Sequence, residues 1–177
     1  MPGEVRIEHL LTSDSADVRN NVWLIGDDDE VLVVDAPHDP DGIEAAVGDR
    51  TVVAIACTSG LDPHVRFAPE LAERLTTQVL LHPDDRDLWD AVHARHEPDG
   101  PLREGQVLHV AGLRVRVLHT PGQTPGSVCL EVPDLGVAFT GDTRRSHPRL
   151  LALPPKTRLL RGHGDETTVA AVAGRAG

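Results

Sequence analysis

The sequence predicts an α/β chain built from two β-sheets flanked by helices, and three observations carry that expectation. Short apolar, β-branched runs alternate with helical patterns through the first half of the chain. The stretch 106–140 is instead a series of strands punctuated by Gly112, Pro121-Gly122, Pro125-Gly126 and Pro133-Asp134. A last strand and a terminal helical pattern follow it. Two packed sheets with helices outside satisfy that order of elements.

Each element has its own local reason. Glu4–Leu11 reads as the first strand. Asn21–Ile25 and Glu30–Asp35 are apolar runs on either side of Gly26-Asp27-Asp28-Asp29, a hairpin signal. Pro37 to Asp41 is a turn cluster and Gly42–Val47 a short helix. Thr51–Cys57 is apolar without alternation, the pattern of a strand buried on both faces. Pro63 suits the first turn of a helix whose apolar positions are Val65, Leu71, Ala72 and Leu75. Gln78–His82 is a short strand and Pro83–Arg95 a helix with Leu88, Trp89 and Val92 on one face. Gln106–Val110, Leu113–His119, Ser127–Val132, Gly136–Thr140 and Arg158–Arg161 are the later strands. Gly162-His163-Gly164-Asp165 separates the last of these from a C-terminal helix beginning near Thr167.

The bulk numbers narrow the function. A chain of 177 residues suits one domain, 1–177, with a substantial core. A net charge of -11 disfavours a nucleic-acid backbone or an anionic membrane as partner. Two tryptophans, two phenylalanines and no tyrosine leave little for stacking on bases or sugars. Two cysteines, Cys57 and Cys129, make no disulfide framework and read as small core residues. No apolar span reaches membrane length and the N-terminus lacks a signal-peptide pattern, so the expected compartment is the cytoplasm. The arginine-rich, lysine-poor composition resembles that of a GC-rich bacterium.

Several segments, in order, resemble the metallo-β-lactamase superfamily, whose fold is an αββα sandwich. Asn20-Asn21-Val22-Trp23-Leu24-Ile25 and Val31–Asp35 resemble its opening hairpin. Ala68-Pro69-Glu70-Leu71-Ala72 and Leu80-Leu81-His82-Pro83 resemble the helix and strand after its metal motif. His119-Thr120-Pro121-Gly122-Gln123-Thr124-Pro125-Gly126-Ser127 looks like its His-Thr-Pro-Gly-His-Ser-Pro-Gly-Ser loop. Thr140-Gly141-Asp142-Thr143 matches the segment of its bridging aspartate, and Gly162-His163-Gly164-Asp165 that of its last ligand. Each piece is weak alone; their order and spacing together are specific.

The resemblance implies a two-metal site, and this chain departs from it. Where the family has Thr-His-x-His-x-Asp-His, this chain has Thr58-Ser59-Gly60-Leu61-Asp62-Pro63-His64. The first-metal positions become Ser59, Leu61, Gln123 and Asp142; the second-metal positions become Pro63, His64, Asp142 and His163. Leucine and proline side chains coordinate nothing and serine is a poor zinc ligand. The first site therefore keeps one ligand of four and the second keeps three. The interval from Asp142 to His163 is also short for the family, with Arg144-Arg145-Ser146-His147-Pro148-Arg149 in place of a loop and helix. The fold expectation is thus an αββα metallo-β-lactamase-like sandwich of two mixed sheets, shortened before its last strand. That shortened edge also leaves room for a second copy, as a homodimer.

Binuclear zinc is not expected on this inventory, and three readings stand. In the first, His64, Asp142 and His163 hold one zinc or iron ion in a mononuclear hydrolase or oxygenase, with Asp62 or Gln123 as a candidate fourth contact. In the second, which the sequence favours, the pocket is metal-free. His64, Asp142 and His163 then do acid–base chemistry, isomerisation, dehydration, cyclisation or hydrolysis, on a small carboxylated or acyl substrate. Ser59, His119 and Gln123 line that pocket, Asp35 lies nearby, and Arg144 and Arg145 hold a carboxylate or phosphate. Bacterial specialised metabolism is the setting this departure suggests. In the third reading, the scaffold binds a small molecule or a protein and catalyses nothing. Other features read as structural: His38 beside Asp35 either lines the site mouth or, the commoner case for a turn histidine, is solvated, His93 and His96 are surface residues, and Asp27-Asp28-Asp29 is a solvated hairpin tip. No Gly-x-Ser-x-Gly, P-loop or dinucleotide fingerprint is present.

Overall fold

The computed structural model of the chain describes residues 3–14 and 18–175. One sheet holds, in both chain and spatial order, β1 (Arg6–Ser13), β2 (Arg19–Gly26), β3 (Glu30–Val34), β4 (Thr51–Ala56), β5 (Val79–Leu81) and β6 (Gly100–Pro101). Its first three strands are antiparallel, and β3 through β6 run parallel. The other sheet holds β7 (Val107–Val110), β8 (Leu113–His119), β9 (Val128–Val132), β10 (Val137–Gly141), β11 (Arg158–Arg161) and β12 (Thr167–Thr168), again in spatial order. It is antiparallel except for the β10–β11 pair.

Helices close the outer faces. α1 (Pro40–Val47), α2 (Asp62–Val65), α3 (Ala68–Leu75) and α4 (Arg86–Val92) contribute to a core outside the first sheet with Ile43, Leu71 and Trp89 at its centre. α5 (Pro148–Leu151) and α6 (Val169–Ala173) cover the second sheet through Leu150, Val169 and Val172. A third cluster, including Leu32, Val117, Leu130 and Phe139, fills the space between the sheets. This is the αββα sandwich of two mixed sheets.

The strand faces explain the sequence patterns. In β4, Ile55 and the following Cys57 pack beneath the helices, while Ala54 and Ala56 face the other sheet. A strand with both faces covered needs no alternation. In β8, Leu113, Val115 and Val117 point inward and Arg114 and Arg116 outward, the period of a half-exposed strand.

Several elements differ from the sequence expectation. The helix expected from Pro63 is two helices, α2 and α3. The Ala36 N–H takes the His64 carbonyl at 3.0 Å, and the Phe67 N–H donates to the Ala36 carbonyl at 2.9 Å. Pro69 has no N–H to rejoin the ladder. The helix expected over Pro83–Arg95 opens with a 3₁₀ turn and ends at Val92. Within the segment Arg144–Arg149, expected to replace a helix, Pro148 and Arg149 begin α5. The two-residue strands β6 and β12 carry no periodic signal and were not anticipated. No helix among the described residues is long and apolar enough to cross a membrane.

Candidate functional site

The carboxyl ends of β3, β4, β10 and β11 meet on one rim of the sandwich, and each delivers a side chain there. Asp35 directly follows β3 and takes the left-handed backbone conformation at φ 67°. That conformation is unfavourable for a residue with a Cβ and is typically imposed at functional positions. β4 leads into Cys57 and Thr58. β10 ends at Gly141 and hands on to Asp142, and β11 to Gly162 and His163. Gly141 also has positive φ, 51°, and a Cβ there would lie 2.3 Å from Thr58 Oγ1. Only glycine lets the two sheets approach at this point.

His64 sits in the first turn of α2, directly after Pro63. Pro63 occupies an early helical position where no N–H is needed, so the proline does not turn His64 away. The His64 ring is buried and held from both sides. Its Nδ1–H donates to Asp35 Oδ2 and its Nε2–H to Asp142 Oδ2, each at 2.9 Å. The other Asp142 oxygen accepts from His163 Nδ1 at 2.6 Å. Behind Asp35, the Thr58 N–H donates to Oδ1 at 2.7 Å and the Thr58 hydroxyl to Oδ2 at 2.8 Å.

The chain of bonds continues to the first sheet. Asn20 Nδ2 donates to His163 Nε2 at 2.8 Å and to the Pro63 carbonyl at 3.3 Å. Its Oδ1 accepts from His38 Nε2 at 3.1 Å. These bonds assign His163 as the tautomer protonated on Nδ1. His38, expected to be a solvated turn residue, is buried. Burial lowers its pKa from the usual imidazole value. Asn21 and Trp23 fasten β2 to the β11 end: Asn21 Nδ2 reaches the carbonyls of Arg161 and Gly164, and Trp23 Nε1 that of Arg161.

Electrostatics follow from this geometry. Burial opposes charge on His64, but the flanking carboxylates of Asp35 and Asp142 outweigh it and raise its pKa to about 10. His64 is an imidazolium at neutral pH. Burial alone would raise Asp142, yet bonds to His64 and His163 pull it down to about 2. His163 is the outermost member, with 36% of its side chain exposed against 17% for Asp142 and 2% for His64.

The remaining candidates have no direct hydrogen bond to His64, Asp142 or His163. Ser59 is buried and its hydroxyl accepts from the Leu61 N–H at 3.4 Å. Gln123 is exposed, as are Arg144 and Arg145. Burial, followed by the like charge of Arg145, lowers the pKa of Arg161, so Arg145 lies within electrostatic reach of the β11 end. Asp62 pairs with Arg66 on the surface. His119 is not in the network: it stacks on His82 with ring centroids 4.1 Å apart, and its Nε2 donates to the Pro125 carbonyl. His93, expected on the surface, is partly buried against Trp89 and bonds the Val65 carbonyl at 2.7 Å. Cys57 and Cys129 are buried free thiols whose pKa burial raises.

Sequence reasoning missed Asn20, Thr58 and Asp85. Asp85 is fully buried and accepts from the Gly60 N–H, the Gly126 N–H and the Thr124 hydroxyl at 2.7–2.8 Å. It thereby ties the loop after β4 to the loop before β9. Its signal was faint: the second acid of Pro83-Asp84-Asp85 opens a helix, where acids are common. An asparagine pair at the start of an apolar strand was the only pointer to Asn20.

The fold and rim define a class. The metallo-beta-lactamase superfamily model matches residues 16–174, and the chain belongs to that superfamily. A "probable metallo-hydrolase", YqgX of Bacillus subtilis, is 26% identical over 86% of this chain and 88% of its own. The hydroxyacylglutathione hydrolase of Xylella fastidiosa strain 9a5c is 31% identical over 81% of this chain, which spans 59% of that enzyme. A protein solved in a di-iron-bound form, TTHA1623, superposes with TM-score 0.79 and 28% identity over 94% of this chain and 96% of its own.

Proposed function

We propose that the chain is a noncanonical enzyme of this superfamily that works without a binuclear zinc centre. It moves protons on a small carboxylated or acyl substrate through Asp142 and His163. The observation that carries this reading is the mutual engagement of His64, Asp142 and His163, whose ligand atoms are bonded to one another.

The residues present do not fit two metals. The positions the family fills with ligands hold Ser59, Leu61, Pro63 and Gln123, and Gln123 is exposed. Nor do His64, Asp142 and His163 offer one ligand atom each within 4.8 Å of the other two. Among the described residues, the set that does so is His82, Asp84 and His119. His64 engages Asp35 through Nδ1 and Asp142 through Nε2, so both ring nitrogens are committed to carboxylates. As imidazolium it supplies the positive charge that the buried Asp35 and part-buried Asp142 carboxylates require.

His163 is the exposed member and the one that meets substrate. Asp142 fixes its tautomer and ring orientation, the role of a carboxylate behind a general base. A proton taken from substrate lodges on Nε2 in place of the Asn20 contact. Asp142, with a pKa near 2, remains ionised throughout. The exposed guanidinium groups of Arg144 and Arg145 suit the carboxylate of such a substrate.

A second reading, a mononuclear metal hydrolase or oxygenase on the same three residues, is favoured by the 28%-identical relative solved with two irons. Metal analysis of untagged protein, before and after loading with zinc or iron(II), separates the two. Protein whose metal content is unchanged by His163→Ala fits the acid–base reading. One metal per chain that leaves with His163→Ala replaces it with the mononuclear one.

A further inference from the structure

We propose that His82, Asp84 and His119 form a binding site for one first-row divalent transition ion, such as zinc, separate from the His64–Asp142–His163 network. Each offers a ligand atom, and these atoms all lie within 4.8 Å of one another. Two imidazoles and a carboxylate make a donor set that zinc takes readily, with a coordination position left for water or a small anion.

The three come from two parts of the chain, His82 and Asp84 from the segment after β5 and His119 from the end of β8. His82 follows β5 and its Nδ1 caps the 3₁₀ turn, accepting the Asp84 N–H at 3.1 Å. His119 is the last residue of β8. Its Nε2–H donates to the Pro125 carbonyl at 2.8 Å, which leaves the Nδ1 lone pair free. A histidine ligand whose other nitrogen is anchored to a backbone carbonyl is the arrangement that fixes tautomer and ring orientation at metal sites. Asp84 is exposed, so an ion at His82 Nδ1 hands the Asp84 N–H over to water.

One movement is required. The two rings lie face to face, 13° from parallel, so their lone pairs run side by side. The half-buried His119 must tilt out of the stack to share an ion with His82. An open cleft of about 310 Å³ borders His82 and is lined also by Leu81, Pro83, Arg86 and Pro98, giving room for a ligand beside the ion.

The test is a zinc titration of untagged protein, read as bound zinc per chain after gel filtration, with cobalt(II) absorption as a second readout. The expected result is one equivalent that His163→Ala retains and that His119→Ala and Asp84→Asn weaken at least tenfold. His119→Gln repeats the measurement with a side chain that still bonds locally, should alanine loosen the loop. Zinc binding unchanged in His119→Ala, His119→Gln and Asp84→Asn overturns the site, as does a wild-type chain that takes up no zinc. An equivalent lost only with His163→Ala overturns it too and speaks for the mononuclear reading instead. The two ideas therefore fail in different variants.

Discussion

The rim carries two sets of two histidines and an aspartate, and they behave as different chemistry. In His64–Asp142–His163, the central carboxylate receives both rings, and His64 is walled in by a second carboxylate, Asp35. In His82–Asp84–His119, the rings stack, the carboxylate stands in solvent, and one imidazole nitrogen is uncommitted. Residue type is the same in both sets. Burial and the number of carboxylates per histidine decide which one holds protons and which one has lone pairs to offer.

The sharpest way to break this contrast is to empty the closed set. His64→Ala leaves Asp35 and Asp142 facing each other without a cation, and the expected loss is about 3–5 kcal/mol of stability in a denaturant titration. A loss under about 1 kcal/mol would mean that the network is not charged as described. Next in size is the activity of His163→Ala on the true substrate, expected to fall about 10²–10⁴-fold while the melting temperature moves little. Full activity would remove His163 from the chemistry.

A third prediction concerns pH. The folded state holds the His64 proton more tightly than the unfolded chain, where the value is 6.5. Its stabilisation is whole below pH 6.5 and drains as pH climbs toward about 10. Asp142 contributes the opposite limb, whole above its ordinary 3.8 and lost as pH falls toward about 2. The gap in melting temperature between wild type and His64→Ala should be widest between these limits, near pH 5–6, and should narrow at pH 9–10. A gap that is flat across the alkaline range would contradict the imidazolium assignment. The smallest expected effect belongs to the open set: Asp84→Asn should change stability by less than about 0.5 kcal/mol, as a surface substitution does.

Much of the fold was legible because its strands are either strictly alternating or wholly apolar. β8 and β11 fall within the limits the pattern gives, Leu113–His119 and Arg158–Arg161. The break between α2 and α3 was not legible, since it depends on Ala36, a residue 28 positions before His64, taking a carbonyl out of the helix ladder. The strands β6 and β12 exist only as partners of longer neighbours. At the site, His64, Asp142 and His163 could be named because a family motif marks their positions. Asn20, Thr58 and Asp85 could not. They are common polar residues, and their importance lies in the atoms they meet across the fold. The pairing of His82 with His119 was hidden for the same reason: 37 residues separate them, and a ring stack leaves no trace in sequence.

Asn21 gives the molecule a timetable. Its amide joins the second strand to the carbonyls of Arg161 and Gly164, about 140 residues later, and its own N–H bonds Gly162 at 2.8 Å. The first sheet can pair long before those residues leave the ribosome, but the rim cannot assemble until they arrive. Until then the site is unfinished, with Asp35 at the open end of β3. Chemistry of any kind waits for the last strand to dock, so protection of the Asn21 amide from hydrogen exchange should report a finished rim.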